Sequence, residues 1–184
     1  MNMKALTRSL SVLLIVFTMC ESCNATPKSE FKKILETHKE QGFGRVLPDS
    51  ISNIILDANK IICELVSKNP TDTLRKDSVT IVPSKLRPIV KFLFFNEQNF
   101  QSNDTVFANF DPWVCYKFET YKRHFVYLEM DFGLRKWRLL DKNKKQIYGA
   151  DMKELNMQFL YFTRLLFPQD LTLKFLNDNL NAIE

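Results

Sequence analysis

Hydrophobic and polar positions alternate most regularly between residues 112 and 149. In the run 125–132, every second position carries an aliphatic, methionine or phenylalanine side chain, and polar or aromatic side chains fill the positions between them. A period of two is typical of a β-strand with one buried face. Together with the aromatic runs 113–118 and 137–140, it predicts an antiparallel β-meander of about four strands. The positions expected to face inward are Val126, Leu128, Met130 and Phe132.

Helical spacing replaces this alternation on both sides of the meander. We predict helices at 27–41, 50–67 and 84–95 before it, and at 151–167 and 171–183 after it. The segment 50–67 has the clearest amphipathic pattern, so we expect its apolar face to lie in the core. That face consists of Ile51, Ile54, Ile55, Ala58, Ile61, Ile62 and Leu65.

The composition is that of a single folded domain. The chain has 184 residues, is 45% hydrophobic and contains 16 phenylalanines, which is enough apolar material to fill one core. The order of the elements predicts an α+β fold in which the meander packs against N-terminal and C-terminal helices. We expect a signal peptide at 1–20, an N-terminal helix and linker at 21–47, and a single α+β domain at 48–184.

The first residues have the pattern of an export signal. Lys4 and Arg8 precede the apolar run 10–19, and a charged segment followed by a short apolar one is typical of secretory signals. A membrane-spanning helix needs about 20 apolar residues, so the run is too short for a permanent anchor. We therefore expect export.

Two ways of processing this signal are open. If Cys20 is the first mature residue, the segment resembles a bacterial lipoprotein signal, although Met19 departs from the usual small residue before the cysteine. Acylation of Cys20 would then hold the protein on a membrane, in the periplasm or at the outer membrane. Cleavage after Ala25, with Cys23 and Ala25 as the small residues of the cleavage site, would instead give a soluble periplasmic or secreted protein.

The remaining cysteines depend on the same expectation of export. In an oxidising compartment Cys63 and Cys115 can form a disulfide. The alternative is two separate buried thiols, one on a helix and one in a strand, that pack as small apolar side chains. Two cysteines do not decide between these arrangements.

The charge pattern does not indicate a nucleic-acid partner. The chain carries 26 basic and 21 acidic residues, a net charge of +5, and removal of Lys4 and Arg8 leaves 24 against 21, or +3. The densest basic group, Lys142, Lys144 and Lys145, suits an exposed hairpin turn. We expect no nucleic-acid partner.

No catalytic or metal-binding set is recognisable. Cys115, His124 and Asp131 could meet in one sheet, but their spacing is not that of a known nucleophile set. Cys20 and Cys23 form a pair at the cleavage region, and no second pair of metal ligands follows. We expect no enzyme activity, no cofactor and no metal.

The tripeptide 131–133 matches the metal-binding motif of kinases, but the other kinase motifs are missing. We expect Gly133 to supply a positive φ in a turn between two strands. Glu119, Glu129 and Asp131 are carboxylates of the kind that hydrolyse glycosides, and exposed alternation along the strands explains them equally well.

Aromatic side chains of the meander are the candidates for binding. Aromatic residues on an exposed sheet face serve as recognition anchors, whereas those on the other face are covered by helices. The candidate binding residues are Trp113, Tyr116, Tyr121, Tyr127 and Trp137, with Phe107 from the predicted loop 96–111.

Two short segments of the chain are similar to segments of known proteins. They are 131–137 (Asp-Phe-Gly-Leu-Arg-Lys-Trp) and 165–170 (Leu-Leu-Phe-Pro-Gln-Asp). In these segments the chain resembles the C-terminal half of uncharacterised small exported proteins and lipoproteins of Bacteroides-type bacteria, over residues 78–184. The resemblance implies an envelope location and no known catalytic residues. Some envelope lipoproteins of this size are immunity proteins, which bind and neutralise antagonistic toxins.

Two functions follow as expectations. The first is a non-enzymatic cell-envelope protein that binds another protein, either a toxin or an envelope protein, through the meander and the loop 96–111. The alternative is a small-ligand-binding or hydrolytic α+β domain with a pocket in the curved sheet. A polar pocket lined by Glu129, Asp131 or His124 would favour the alternative, and a solid apolar interior would count against it.

Overall fold

The computed structural model describes residues 33, 36–37, 47–66, 79–95, 110–152 and 155–181. The predicted signal peptide with Cys20, most of the helix predicted at 27–41, and Phe107 lie outside these residues. In chain order the described elements are α1 (Asp49–Asp57), β1 (Lys60–Leu65), β2 (Val79–Ile81), α2 (Arg87–Phe94), β3 (Val114–Glu119), β4 (Phe125–Asp131), β5 (Lys136–Leu140), β6 (Gln146–Asp151), α3 (Leu155–Leu166) and α4 (Leu171–Asn181).

The described strands form one antiparallel sheet in the order β2-β1-β3-β4-β5-β6. The predicted α+β class is confirmed, and the predicted meander is the run β3 to β6. Strands β1 and β2 extend the sheet to six, beyond the four expected. Within the described residues, no helix has the length and hydropathy needed to cross a membrane.

The core lies between one face of the sheet and the helices. Alternate residues of β4, including Val126, Leu128 and Met130, face this core, as the alternation predicts. The Phe94 ring of α2 packs against Trp137, with ring centroids 5.3 Å apart. Helix α1 packs on β3 and β4, and α3 packs on α2 and α4. Large side chains therefore fill the inward side of the sheet.

The helix predicted at 50–67 is wrong in its second half. Helix α1 ends at Asp57, and residues from Lys60 onward form β1, which pairs with β3 over six residue pairs. Ile61, Cys63 and Leu65 are buried and the residues between them are not, which is the period of a strand. The helical spacing of Ile61, Ile62 and Leu65 is outweighed by strand pairing over this length.

Two basic side chains of α2 donate hydrogen bonds to the backbone at the junction between α1 and β1. Lys91 Nζ donates to the carbonyl oxygens of Leu56, at 2.6 Å, and Ala58, at 2.7 Å. Arg87 donates to the carbonyl oxygen of Asn59. Burial lowers the pKa of Lys91 to about 8, while the nearby charge of Asp57 acts in the opposite direction. These bonds satisfy carbonyls that the end of the helix leaves without partners.

The later helices agree with the predictions more closely. Helix α2 lies within the predicted 84–95, α3 within 151–167, and α4 within 171–183. Of the helix predicted at 27–41, the described residues Lys33, Glu36 and Thr37 are helical, and Thr37 Oγ1 donates to the carbonyl oxygen of Lys33 at 2.9 Å.

The turn between β4 and β5 differs from the prediction for Gly133. Gly133 has no positive φ, and Arg135 adopts one of 54° instead. Close packing does not require glycine at 133 either, because an added Cβ would lie 3.4 Å from Asp131 Oδ1, which is an ordinary contact distance. Asp131 itself organises the turn, since its Oδ1 accepts the N–H of Leu134 and its Oδ2 accepts that of Asp111, both at 3.0 Å.

Candidate functional site

The sheet has a second face, directed away from the core, that we call the outward face. It carries the alternate residues of β1 to β5 that do not point into the core. The strand register places Cys115, Glu129 and Arg138 in one cross-strand row and Lys117, Tyr127 and Leu140 in the next. This face is defined by Ile62, Val79, Ile81, Cys115, Lys117, Phe125, Tyr127, Glu129, Arg138 and Leu140.

An ion pair lies at the centre of the outward face. Arg138 Nε and Nη2 each lie 2.7 Å from Glu129 Oε2, and the two residues are direct cross-strand partners. Glu129 is only 9% exposed, so the pair is partly withdrawn from water. The Arg138 guanidinium also lies over the Phe110 ring, 4.4 Å from its centroid. Charge and stacking together fix the orientation of Arg138.

Two lysines lie over aromatic rings beside this pair. Lys144 Nζ is 3.4 Å from the centroid of the Tyr127 ring and 4.0 Å from Glu129 Oε1. Lys117 Nζ is 4.2 Å from the centroid of the Phe125 ring. The two rings meet edge to face, with centroids 5.5 Å apart. Cations and aromatic rings therefore alternate across the half-exposed part of this face.

The apolar edge of the outward face is formed by the short strand β2. Val79 is 53% exposed and Ile81 is 55% exposed. Ile81 is the cross-strand partner of Ile62, which places both on the outward face. The outward face thus joins an apolar edge to a central zone of aromatic and charged side chains.

The predicted binding residues are distributed over both faces. Tyr127 lies on the outward face, and Tyr121 is 88% exposed in the turn between β3 and β4. Trp113 is partly buried and packs against the core. Tyr116 and Trp137 are wrong as surface anchors, because both are fully covered and belong to the core.

The strand register explains why Trp137 lies on the buried face of the sheet. Trp137 is the cross-strand partner of Met130, and partners in an antiparallel pair point to the same face. That register depends on the length of the turn between β4 and β5, which the sequence alternation does not fix. Sequence reasoning did not select Arg138, Lys117 and Lys144 as binding residues. Arg138 and Lys117 alternate with buried residues of their own strands, and this is a signal that could have found them. Lys144 lies in the turn between β5 and β6, where alternation gives no signal.

The two described cysteines do not form a disulfide. Cys63 is paired with Tyr116 on the inward face, whereas Cys115 is paired with Glu64 on the outward face. Their side chains therefore leave opposite sides of the sheet. The structure has two separate buried thiols, as in the alternative arrangement, but Cys63 lies in β1 and not on a helix. Burial raises the pKa of Cys63 well above its usual value and that of Cys115 to about 12. Neither is an activated nucleophile.

The other residues considered for chemistry do not converge. His124 is exposed in the turn between β3 and β4. Asp131 is buried, and each of its carboxylate oxygens accepts a backbone N–H. Glu119 pairs with Lys117 at 3.3 Å. Among the described residues, no group of three or more histidine, cysteine, aspartate or glutamate side chains could hold a metal ion.

No family model, curated protein or solved structure matches this chain. The geometry of the outward face is therefore the basis for a functional proposal.

Proposed function

We propose that this chain is a non-enzymatic cell-envelope protein that binds another protein through the outward face of its sheet. The observation that carries the proposal is the grouping of Tyr127, Phe125 and Arg138 on that face, which also carries exposed apolar residues at its β2 edge. Tyrosine and arginine are enriched among the side chains that contribute most to protein–protein binding. The partner is a toxin or another envelope protein, and with a toxin the chain acts as an immunity protein.

The fixed orientation of these side chains supports the same proposal. Arg138 is held by Glu129 on one side and by the Phe110 ring on the other. Lys144 covers the Tyr127 ring and leaves the tyrosine partly exposed. Side chains that are already ordered lose little conformational entropy when a partner binds. An ordered face of this composition suits recognition.

No observation on the described residues supports the alternative function of a small-ligand-binding or hydrolytic domain. Trp137, Tyr116 and Phe118 occupy the inward side of the sheet, where the expected pocket would lie. Both carboxylate oxygens of Asp131 accept backbone N–H groups, and Glu129 forms an ion pair with Arg138. The alternative therefore remains without a site in the described residues.

The proposed location depends on the N-terminal segment, which lies outside the described residues. Lys4, Arg8 and the apolar run 10–19 support export. We place the protein at the periplasm or the outer membrane as a lipoprotein if Cys20 is acylated, and as a soluble periplasmic or secreted protein if it is not. In either case the outward face meets partners of the envelope.

Affinity capture with matched variants tests the proposal. The tagged full-length chain is expressed in its own bacterium, and proteins that co-purify from envelope extracts are compared between the wild type and Phe125→Ala/Tyr127→Ala. The control is Tyr161→Ala/Phe175→Ala, which removes the same two residue types from exposed positions of α3 and α4. We expect a partner that the wild type and the control retain and the outward-face variant loses.

A second arm measures sensitivity to competing bacteria. A deletion strain should lose survival against toxin-producing competitors, and the wild type and the helix control should restore it while the outward-face variant should not. Equal capture by both variants would contradict the outward face as the binding surface. Unchanged sensitivity of the deletion strain would contradict the immunity role.

A further inference from the structure

Two hairpin turns project from the same end of the sheet. The turn 120–124 joins β3 to β4, and the turn 141–145 joins β5 to β6. Because β4 and β5 are antiparallel neighbours, both turns lie at one end. The pairing of Tyr127 with Leu140 places the first turn about two residues, or about 7 Å, beyond the second.

This end of the sheet concentrates positive charge. Lys60 also lies here, because it is the cross-strand partner of Glu119. Glu119 is paired with Lys117 at 3.3 Å. Asp141 Oδ1 accepts the N–H groups of Asn143 and Lys145 at 2.8 and 2.9 Å and keeps its charge, but the exposed basic residues here outnumber it. We call this surface the basic end; it consists of the exposed residues Lys60, Lys122, Arg123, Lys142, Lys144 and Lys145.

An exposed tyrosine occupies the turn that projects furthest. Tyr121 is 88% exposed. The turn that carries it is well ordered, because the N–H of Thr120 donates to the carbonyl oxygen of His124 and that of Arg123 donates to the carbonyl oxygen of Thr120, both at 2.9 Å. Arg123 adopts a φ of 57° to complete the turn. The turn thus holds an aromatic ring in solvent, flanked by cations.

We propose that the basic end binds anionic membrane surfaces, with Tyr121 entering the level of the lipid headgroups. Clusters of lysine and arginine are attracted to anionic lipids. Tyrosine is enriched at membrane–water interfaces, because its ring is apolar and its hydroxyl is polar. The basic end carries five lysines and one arginine, and lysine is depleted in protein–protein interfaces, which favours a lipid surface over an acidic protein.

This contact goes beyond the proposed protein-binding function, and of the residues of the basic end only Lys144 also contacts the outward face. Strands that meet the membrane at one end run away from it, so the part of the outward face around Glu129 and Arg138 lies farther from the membrane than Tyr127 and stays accessible to a partner. The lipid contact would act together with acylation of Cys20 or in its absence, because a basic cluster and an acyl chain contribute separately to membrane affinity.

Vesicle binding by charge-matched variants tests the proposal. The full-length chain carrying Cys20→Ala is mixed with vesicles of phosphatidylcholine alone, or of equal parts phosphatidylcholine and phosphatidylglycerol, and bound protein is measured by sedimentation. The apolar run 10–19 is present in every protein compared. The basic-end variant carries Lys122→Gln, Arg123→Asn, Lys142→Gln and Lys145→Gln, and the control carries Lys33→Gln, Lys85→Gln, Arg135→Asn and Lys174→Gln.

Both variants lose four positive charges from exposed positions, and each replaces one arginine that has a positive φ. We expect the basic-end variant to bind phosphatidylglycerol vesicles at least about tenfold more weakly, since each basic residue near the surface contributes about fivefold. The control should change by less than about twofold. Equal losses in the two variants, or equal binding to both vesicle types, would overturn the proposal.

A fluorescence measurement tests the position of Tyr121. In Tyr121→Trp, the added emission, after subtraction of the parent spectrum, should shift to the blue with phosphatidylglycerol vesicles and not with phosphatidylcholine alone. No shift under conditions of full binding would overturn the role of Tyr121. Tighter binding to a short DNA duplex than to the vesicles at the same salt concentration would overturn the choice of a membrane as the partner.

Discussion

Glu129 shows that a residue on the outward parity of a strand can still be shielded from solvent by its neighbours. It shares the outward parity of β4, which predicts exposure, yet it is 9% exposed because Arg138 and Lys144 lie over it. The sequence places Glu129 on the outward face correctly. It cannot show that a residue from the neighbouring strand covers the carboxylate, because that depends on register.

The ion pair on the outward face gives a prediction for Arg138. Arg138→Ala should lower the free energy of unfolding by about 2 kcal/mol, because it leaves a nearly buried carboxylate with only Lys144 at 4.0 Å. Urea denaturation measures the change. In the double variant with Glu129→Gln, most of the loss should be recovered, because no buried charge then lacks a partner. Additive losses in this cycle would contradict the coupling.

At the scale of the elements, the strands of the meander are predictable and β1 is not. Strands β3, β4 and β5 carry aromatic and β-branched runs separated by polar turns, so local sequence and tertiary pairing agree. In the segment 50–67 the isoleucines follow a helical period, and the strand period of Ile61, Cys63 and Leu65 is only three residues long. The choice is made by pairing with β3 and by side chains of α2, and both are distant in sequence.

Lys91 makes the junction of α1 and β1 sensitive to pH. Its pKa of about 8 lies below the ordinary 10.5, so the folded state binds fewer protons than the unfolded state between these values, and stability rises with pH in this window. A neutral amine still has two N–H groups for its two carbonyl partners. The stability of the wild type relative to Lys91→Met should increase by about 2 kcal/mol between about pH 7.5 and pH 9.5.

Denaturant unfolding of both proteins across this range measures the difference, and taking the difference removes the contributions of other groups. Burial raises the pKa of Cys63 and Tyr116, so their ionisation opposes the trend in both proteins equally. A stability difference that is constant with pH would contradict the lowered pKa of Lys91 in the folded state.

At the scale of the whole molecule, the sequence predicts the α+β architecture and leaves the binding surface ambiguous. Tyr127 and Tyr121 are accessible as predicted anchors require, but Trp137 and Tyr116 belong to the core. Composition and alternation determine that the sheet has a buried face. Which aromatic residues occupy it depends on turn lengths, so the candidate site could be located only in part.

The proposed lipid anchor gives a prediction for Cys20. In a wild-type strain the protein should fractionate with membranes, and Cys20→Ala should release most of it to the periplasmic or secreted fraction if Cys20 is acylated. The basic end should keep a salt-sensitive portion of the variant on membranes. Immunoblotting of the fractions, with and without high salt, measures both effects. An unchanged distribution that resists salt would contradict acylation at Cys20.

The central proposal is that the outward face, and not the helical side, binds a protein. Its most direct test places the photo-cross-linking residue benzoylphenylalanine at position 127 in one strain and at position 161 in another, followed by illumination of living cells. We predict a discrete cross-linked protein from position 127, on the outward face, and none from position 161, on α3. The same product from both positions, or a product from position 161 alone, would contradict the proposal.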